Sequence, residues 1–527
     1  MRRLLLATLL AAALAAGDAA PLVQLRAADG PDLQQAWERS LYGQLWQDPA
    51  FAELRRQVLD AARQTSAETG VDPWQLIREQ RGLTLQVLPG REPKKFRVLS
   101  QVDLGAQAKA VFARIASPPQ SPPKQRVAVP GADEAVRHDE AVTARFGNVL
   151  VVAINEGARR LPSAPATAAL AIDIDAPAIL AHLAAIAPPA QQADIRRAAA
   201  QLQPFLGRLS YRGDLVSEGV RERITSDQPL PGAIAVDRAL LARLPTNTLL
   251  LLASGIDGRE YWRVASESLL TMLDVALHEE QPQGLEATRR EVDQLLAARG
   301  VQGGLQALVE GLRGTALIAL TPAAPFPALT LALPRSPQLD ALVAAALAQA
   351  PGNKLPPPGK SGLVRLPDVE LPAPLQLVHG RTHWVFTTDA LLAMGWESGR
   401  AGGFADSAAA RAAYGAAAAE ACIIGVSDTP QVLRTLHGFL GMLLMLGAMD
   451  PETQQAVAQA LLRTAELAQP GYLVAANTAQ GAVIEARGLL GTGLIPVLLA
   501  GSVFAITSDR AEKLPIDKPP TLEAPKP

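Results

Sequence analysis

The chain has 527 residues, 49% of them hydrophobic, with a single cysteine and a formal net charge of −2. This is enough chain for more than one hydrophobic core. One cysteine excludes an intramolecular disulfide framework, and the lack of a long basic run excludes a nucleic-acid footprint.

Met1-Arg2-Arg3 is a basic start, Leu4 to Ala16 is uncharged, and small residues follow. This is the layout of a secretory signal peptide over residues 1–20. No cysteine follows it for a lipid anchor. Export without disulfides points to a bacterial periplasm.

A first domain is expected over residues 30–230. It opens with a helical region, Leu33 to Gln80, in which Phe51, Leu54, Val58 and Ala61 form a stripe directed at a core. Strands follow at Gly82–Leu88 and Phe96–Val102, and Asp103 caps a helix. A Pro-rich loop, Ser117 to Gly131, precedes a hairpin of Val142–Phe146 and Val149–Ile154 about Gly147-Asn148. Asn155 caps its end. The strand Ala168–Ile174 then runs into a helix capped by Asp175, and Leu206–Glu222 closes the unit.

Residues 231–487 follow the same script. Arg81-Gly82-Leu83-Thr84-Leu85 aligns with Arg313-Gly314-Thr315-Ala316-Leu317, 232 positions later, and Gly147 with Gly380 at 233. The helical region is Leu240 to Leu312, and the strands are Thr315–Leu320 and Ala328–Leu333. Ser336-Pro337 is the cap, and Pro351 to Pro374 is the Pro-rich loop. The hairpin is Leu375–His379 with Thr382–Thr387, a two-residue turn at Gly380-Arg381 ended by Thr388. Ala421–Val426 leads to the cap Asp428, and Gly471–Arg487 closes the copy. A period this long describes a duplicated domain rather than a solenoid. This copy adds a helix within Gly402–Glu420 and an apolar helix over Gly438–Met449. The expected class is α+β: two similar domains, each a mainly antiparallel sheet with helices on one face.

Gly488 to Thr507 is 20 residues without a charge, long enough for a membrane anchor. The Pro-rich tail 508–527 is too polar to pack and reads as disordered.

The chemistry-bearing residues resolve into near misses, and no catalytic, cofactor or metal residue is assigned. Pro358-Gly359-Lys360-Ser361 lacks the earlier glycine of a phosphate loop. His379 and His383 flank a turn, where helical metal-ligand spacing does not apply. His138, His182, His278 and His437 are scattered. Asp173 and Asp175 share a strand face, as paired carboxylates would, but Asp175 reads as a cap and Val426 stands at the place of Asp173. Ser254 lies in a Gly-flanked turn, and the prolines of Ser121-Pro122-Pro123-Lys124 forbid a catalytic helix. Cys422 reads as a small buried hydrophobe. Met442, Met445 and Met449 fall at helical spacing on a core helix. Trp37, Trp46, Trp74, Trp262, Trp384 and Trp396 are dispersed and give no stacking platform.

Leu41-Tyr42-Gly43-Gln44-Leu45-Trp46-Gln47-Asp48-Pro49-Ala50, followed by a helix and Arg81-Gly82-Leu83-Thr84-Leu85, resembles the opening of certain large secreted bacterial proteins of unknown function. Leu244-Pro245-Thr246-Asn247-Thr248 before an apolar strand is similar to them too. The resemblance implies a signal peptide and a duplicated α+β body, and it carries over no active-site residue. The expected function is a non-catalytic cell-envelope binding or scaffold protein. Its partner would be a protein or envelope component, and its inner-membrane contact would run through residues 488–507. Alternatives are an envelope hydrolase with a site between the repeats and a lipid or peptide carrier using the 438–449 segment.

Overall fold

The structure is a computed structural model that describes residues 20–69, 72–90, 96–117, 124–162, 166–186, 193, 196, 207–264, 284–323, 326–348, 352–364, 374–445, 451–489 and 491. Residues 1–19 of the signal-peptide segment, Ser121, His278, Met449, residues 492–507 of the expected membrane anchor and the 508–527 tail lie outside the described residues. Strands are numbered in chain order. The first half contributes β1 (Val23–Ala27), β2 (Arg81–Leu88), β3 (Arg97–Asp103), β4 (Gln125–Arg126) and β5 (Glu134–His138). It continues with β6 (Ala141–Phe146), β7 (Val149–Ile154), β8 (Leu170–Asp175), β9 (Arg208–Val216) and β10 (Gly219–Ser226). The second half contributes β11 (Leu250–Asp257), β12 (Arg313–Thr321), β13 (Ala328–Pro334), β14 (Ser361–Val364) and β15 (Leu375–His379). It ends with β16 (His383–Thr387), β17 (Ala421–Ser427), β18 (Gly471–Thr478) and β19 (Gly481–Gly488).

All of these strands join one antiparallel sheet. At its centre β10 pairs with β19, Val220 opposite Gly488 through Ser226 opposite Ala482. Outward from β10 the order is β9, β8, β1, β2, β3, β7, β6, β5 and β4. Outward from β19 it is β18, β17, β11, β12, β13, β16, β15 and β14. The two sequences of pairing match strand for strand, and β4 alone has no counterpart.

Three of the expected caps form, whereas Asp103, the last residue of β3, accepts from the Gly105 amide at 2.8 Å and leaves the helix Ala108–Ala116 without a side-chain cap. The Asp175 carboxylate accepts from the Ala178 amide at 3.0 Å, and that of Asp428 accepts from the Gln431 amide at 3.2 Å. The Ser336 hydroxyl accepts from the Leu339 amide at 3.1 Å. Asn155 and Thr388 instead work as latches between strands. Asn155, at φ 55°, donates to the Phe96 carbonyl at 3.1 Å, and the Thr388 hydroxyl accepts from the Leu329 amide at 3.0 Å. The helix after Thr388 is capped by Asp389.

Several expectations need correction. β1, β4, β5 and β14 are strands where the sequence predicts linkers or Pro-rich loops, because two to five residues carry too little alternation to stand out. The expected helical region 240–312 contains β11, and Ser254 lies within that strand. Gly380 opens a four-residue connection, since His379 pairs with Trp384, whereas Phe146 pairs with Val149 across a true two-residue turn. In the helix Ala52–Thr69, Leu54 is 52% exposed and Ala61 is exposed, so only Phe51 of the expected stripe joins a core.

Helices are not confined to one face. Leu250 and Leu251 point to opposite faces of β11, and each is buried. Leu250 packs toward Val432 of the helix Thr429–Met445, and Leu251 toward Leu392, Trp396 and Phe404. The second half of the sheet is therefore a middle layer between two layers of helices. The insertion 402–420 supplies part of the second layer, through the helix Ala408–Ala416. In the first half a smaller core of Leu99, Val151 and Ala153 is closed by Ala158 and Leu161 from a loop.

A candidate binding face

The inner strands of the two halves differ in what they present on the face covered by helices 390–398 and 408–416. In the second half this face carries Leu251, Ala253, Leu317, Ala319, Val426 and Val474, all buried. The strands holding the same places in the first half present Gln24, Arg26, Thr84, Gln86, Asp173 and Arg212. The register fixes this alignment: Gln24 stands opposite Gln86 and Asp173, and Arg26 opposite Thr84 and Ala171, which in turn faces Arg212.

Asp173 is the hub of the group. Its carboxylate accepts from Arg26 Nη2 at 2.9 Å, from Arg212 Nη2 at 2.9 Å and from the Ser210 hydroxyl at 2.6 Å. Burial raises the Asp173 carboxyl, but the donors Ser210, Arg212 and Arg26 outweigh it and hold the group below the usual carboxylate range. The side chains of Arg26 and Asp173 are 19% and 34% exposed. Among the described residues the buried Arg26 Nε has no hydrogen-bond partner, so one donor of this rigid guanidinium is unused there. The charged strip continues to the central seam. There Asp214 holds Arg221 at 3.2 Å, Arg223 lies 3.5 Å from Glu485, and Arg487 pairs with Glu218.

Guanidiniums present planar donor forks that suit carboxylates and backbone carbonyls. A half-buried set of them, poised against a shared carboxylate, suits recognition of a polar partner. The Ser210 hydroxyl donates to the Asp173 carboxylate, which both guanidiniums also bond. Alternation pointed to Asp173. It did not point to Arg26 or Arg212, which come from strands far apart in sequence.

The other candidate residues do not converge on this face. His379 and His383 lie on opposite sheet faces: His379 stacks on Trp384 at 4.4 Å, and His383 Nε2 meets the Thr315 carbonyl at 2.9 Å. Burial lowers the His383 imidazole. His182 packs on Phe96 at 5.1 Å, and His138 pairs with Asp139. Gly359 turns at φ 81° into β14, where the Ser361 amide and hydroxyl both donate to the Glu397 carboxylate. The Cys422 thiol is buried, which raises it, and it donates to the Ala475 carbonyl. Among the described residues no group of His, Cys, Asp and Glu could hold a metal ion.

The tryptophans correct the sequence reading. Trp37 lies 6.2 Å from Tyr42 and 6.4 Å from Trp46, and Trp46 lies 6.4 Å from Trp74. Three helices thus gather residues that the sequence scatters.

These features define an α+β protein with a single central antiparallel sheet. No protein-family model matches the chain, and no curated protein and no solved structure was found to match it.

Proposed function

We propose that the protein is a non-catalytic binding or scaffold protein of a bacterial cell envelope, exported by residues 1–20. We read its body as a duplicated α+β unit, with copies at residues 30–230 and 231–487. The matching order of pairing outward from β10 and β19 supports the duplication. So do Gly219 and Gly481, which open the two seam strands at φ 124° and 118°.

One observation carries the binding reading: the sheet face that is apolar and sealed by the chain's own helices in the second half is polar and half-buried in the first. The copies thus divide the labour. The second supplies rigidity, and the first offers Arg26, Asp173 and Arg212 to a polar protein or envelope component. Contact with the inner membrane through residues 488–507 remains part of this reading. Gly488 belongs to β19 and Leu489 to a core, which leaves 492–507 as the uncharged run.

Pull-down from an envelope fraction tests the assignment, with wild type compared against the double variant Asp173→Asn, Arg212→Gln. Loss of a recovered partner in a variant that melts near wild type is expected. Unchanged recovery overturns the assignment of this face.

A further inference from the structure

The aromatic group on the first half's helices shares a neighbourhood with the point where the chain leaves the sheet. Trp37 is carried by the helix Gly30–Arg39, Tyr42 and Trp46 by Leu41–Gln47, and Trp74 by Pro73–Glu79. Trp37 and Trp74 are each 38% exposed, and Ile77, one turn beyond Trp74, is 51% exposed. Beyond β19, Leu489 packs against the core of Leu41 and Leu45, and the Tyr42 hydroxyl donates to the Leu489 carbonyl. The helix that holds Tyr42 and Trp46 in the aromatic group therefore also holds the start of the C-terminal run.

That run, residues 492–507, has 16 residues and no charge. As a helix it would reach about 24 Å, short of the roughly 30 Å of hydrocarbon in a bilayer. A short apolar run holds a protein at a membrane more firmly when a second contact sits at the headgroup level. Tryptophan and tyrosine favour that level, where an apolar ring and a polar edge are both accommodated. Large exposed aromatic side chains beside the origin of an uncharged run provide this second contact.

We propose that the aromatic face of Trp37, Tyr42, Trp46 and Trp74 is a docking surface for the bilayer interface, seated beside the origin of residues 492–507. The inference builds on the membrane contact in the functional reading but does not require the partner-binding face, and its test involves neither export nor a protein partner.

Vesicles of phosphatidylethanolamine and phosphatidylglycerol with dibrominated acyl chains quench tryptophans that enter the interface. Full-chain protein is expected to lose fluorescence on adding such vesicles. Most of that quenching should disappear in the double variant Trp37→Phe, Trp74→Phe, which keeps apolar rings and so preserves the fold. Trp384 and Trp396 are 1% and 6% exposed in the second half and supply an unquenched internal reference. A chain shortened after Gly491 separates the contacts: it should bind more weakly while its residual quenching still depends on Trp37 and Trp74. Absence of quenching in the full chain overturns the proposal, as does quenching that is indifferent to the Phe substitutions.

Discussion

At the scale of single residues, the structure separates groups that hold the fold from groups free to act elsewhere. Asp175 and Asp428 each satisfy an orphan amide at the start of a helix, so Asp175→Ala or Asp428→Ala should cost about 1 kcal/mol in denaturant unfolding. Partner recovery should be unchanged in protein that remains folded. A larger penalty attaches to Arg97 and Glu156, whose side chains are 7% and 5% exposed and paired with each other. Arg97 also donates to the Pro89 carbonyl, but Glu156→Gln removes its counter-charge in a buried site and should destabilise by roughly 3–5 kcal/mol. The double variant Arg97→Met, Glu156→Leu should recover most of that loss, which a thermodynamic cycle over the variants measures. His383 supplies a pH signature. Burial depresses its folded pKa below the ordinary 6.5, so the unfolded chain takes the proton more readily. Its contribution is fully present above 6.5 and is lost as pH falls from there toward the folded value. Melting temperature should therefore drop more steeply on acidification in wild type than in His383→Gln.

At the scale of elements, the seam between β10 and β19 depends on two glycines. A Cβ on Gly219 would lie 2.4 Å from the Gly488 carbonyl oxygen, and one on Gly481 would lie 2.0 Å from that of Ser226. Both contacts are to backbone, and both positions have positive φ. Gly219→Ala or Gly481→Ala should each destabilise by more than about 1 kcal/mol, with amide exchange accelerating first in β10 and β19. Legibility in the sequence followed element length and locality. A strand with alternation, such as β2, continuous apolar runs between turns, such as β7 and β17, and caps with a short polar residue before proline were readable because their causes are local. β1 and β14 were not, because only neighbouring strands make their residues into strands. The aromatic group and the convergence of Arg26 and Arg212 on Asp173 were equally invisible, since each is assembled by packing between segments that the sequence does not place together.

For the whole molecule, a sheet continuous through the seam makes each half the cover for the other's edge. Two chains, one ending at Gln228 and the other starting at Pro229, would each expose an edge strand, β10 or β19, with unpaired amides and carbonyls. Co-expressed, they should co-purify through a tag on either one, and each alone should aggregate; independent soluble fragments would show that the seam is dispensable. Arg223 stands opposite Glu485 in that seam, 3.5 Å away. If β10 of another molecule took the place of β19 about the same centre, Arg223 would face its own copy and the attraction would become repulsion. Joining the two halves in one chain thus permits a charge asymmetry across the seam that two identical subunits could not have. The molecule can tell its own second half from a neighbour's first, which discourages run-on fibres built by edge-to-edge addition.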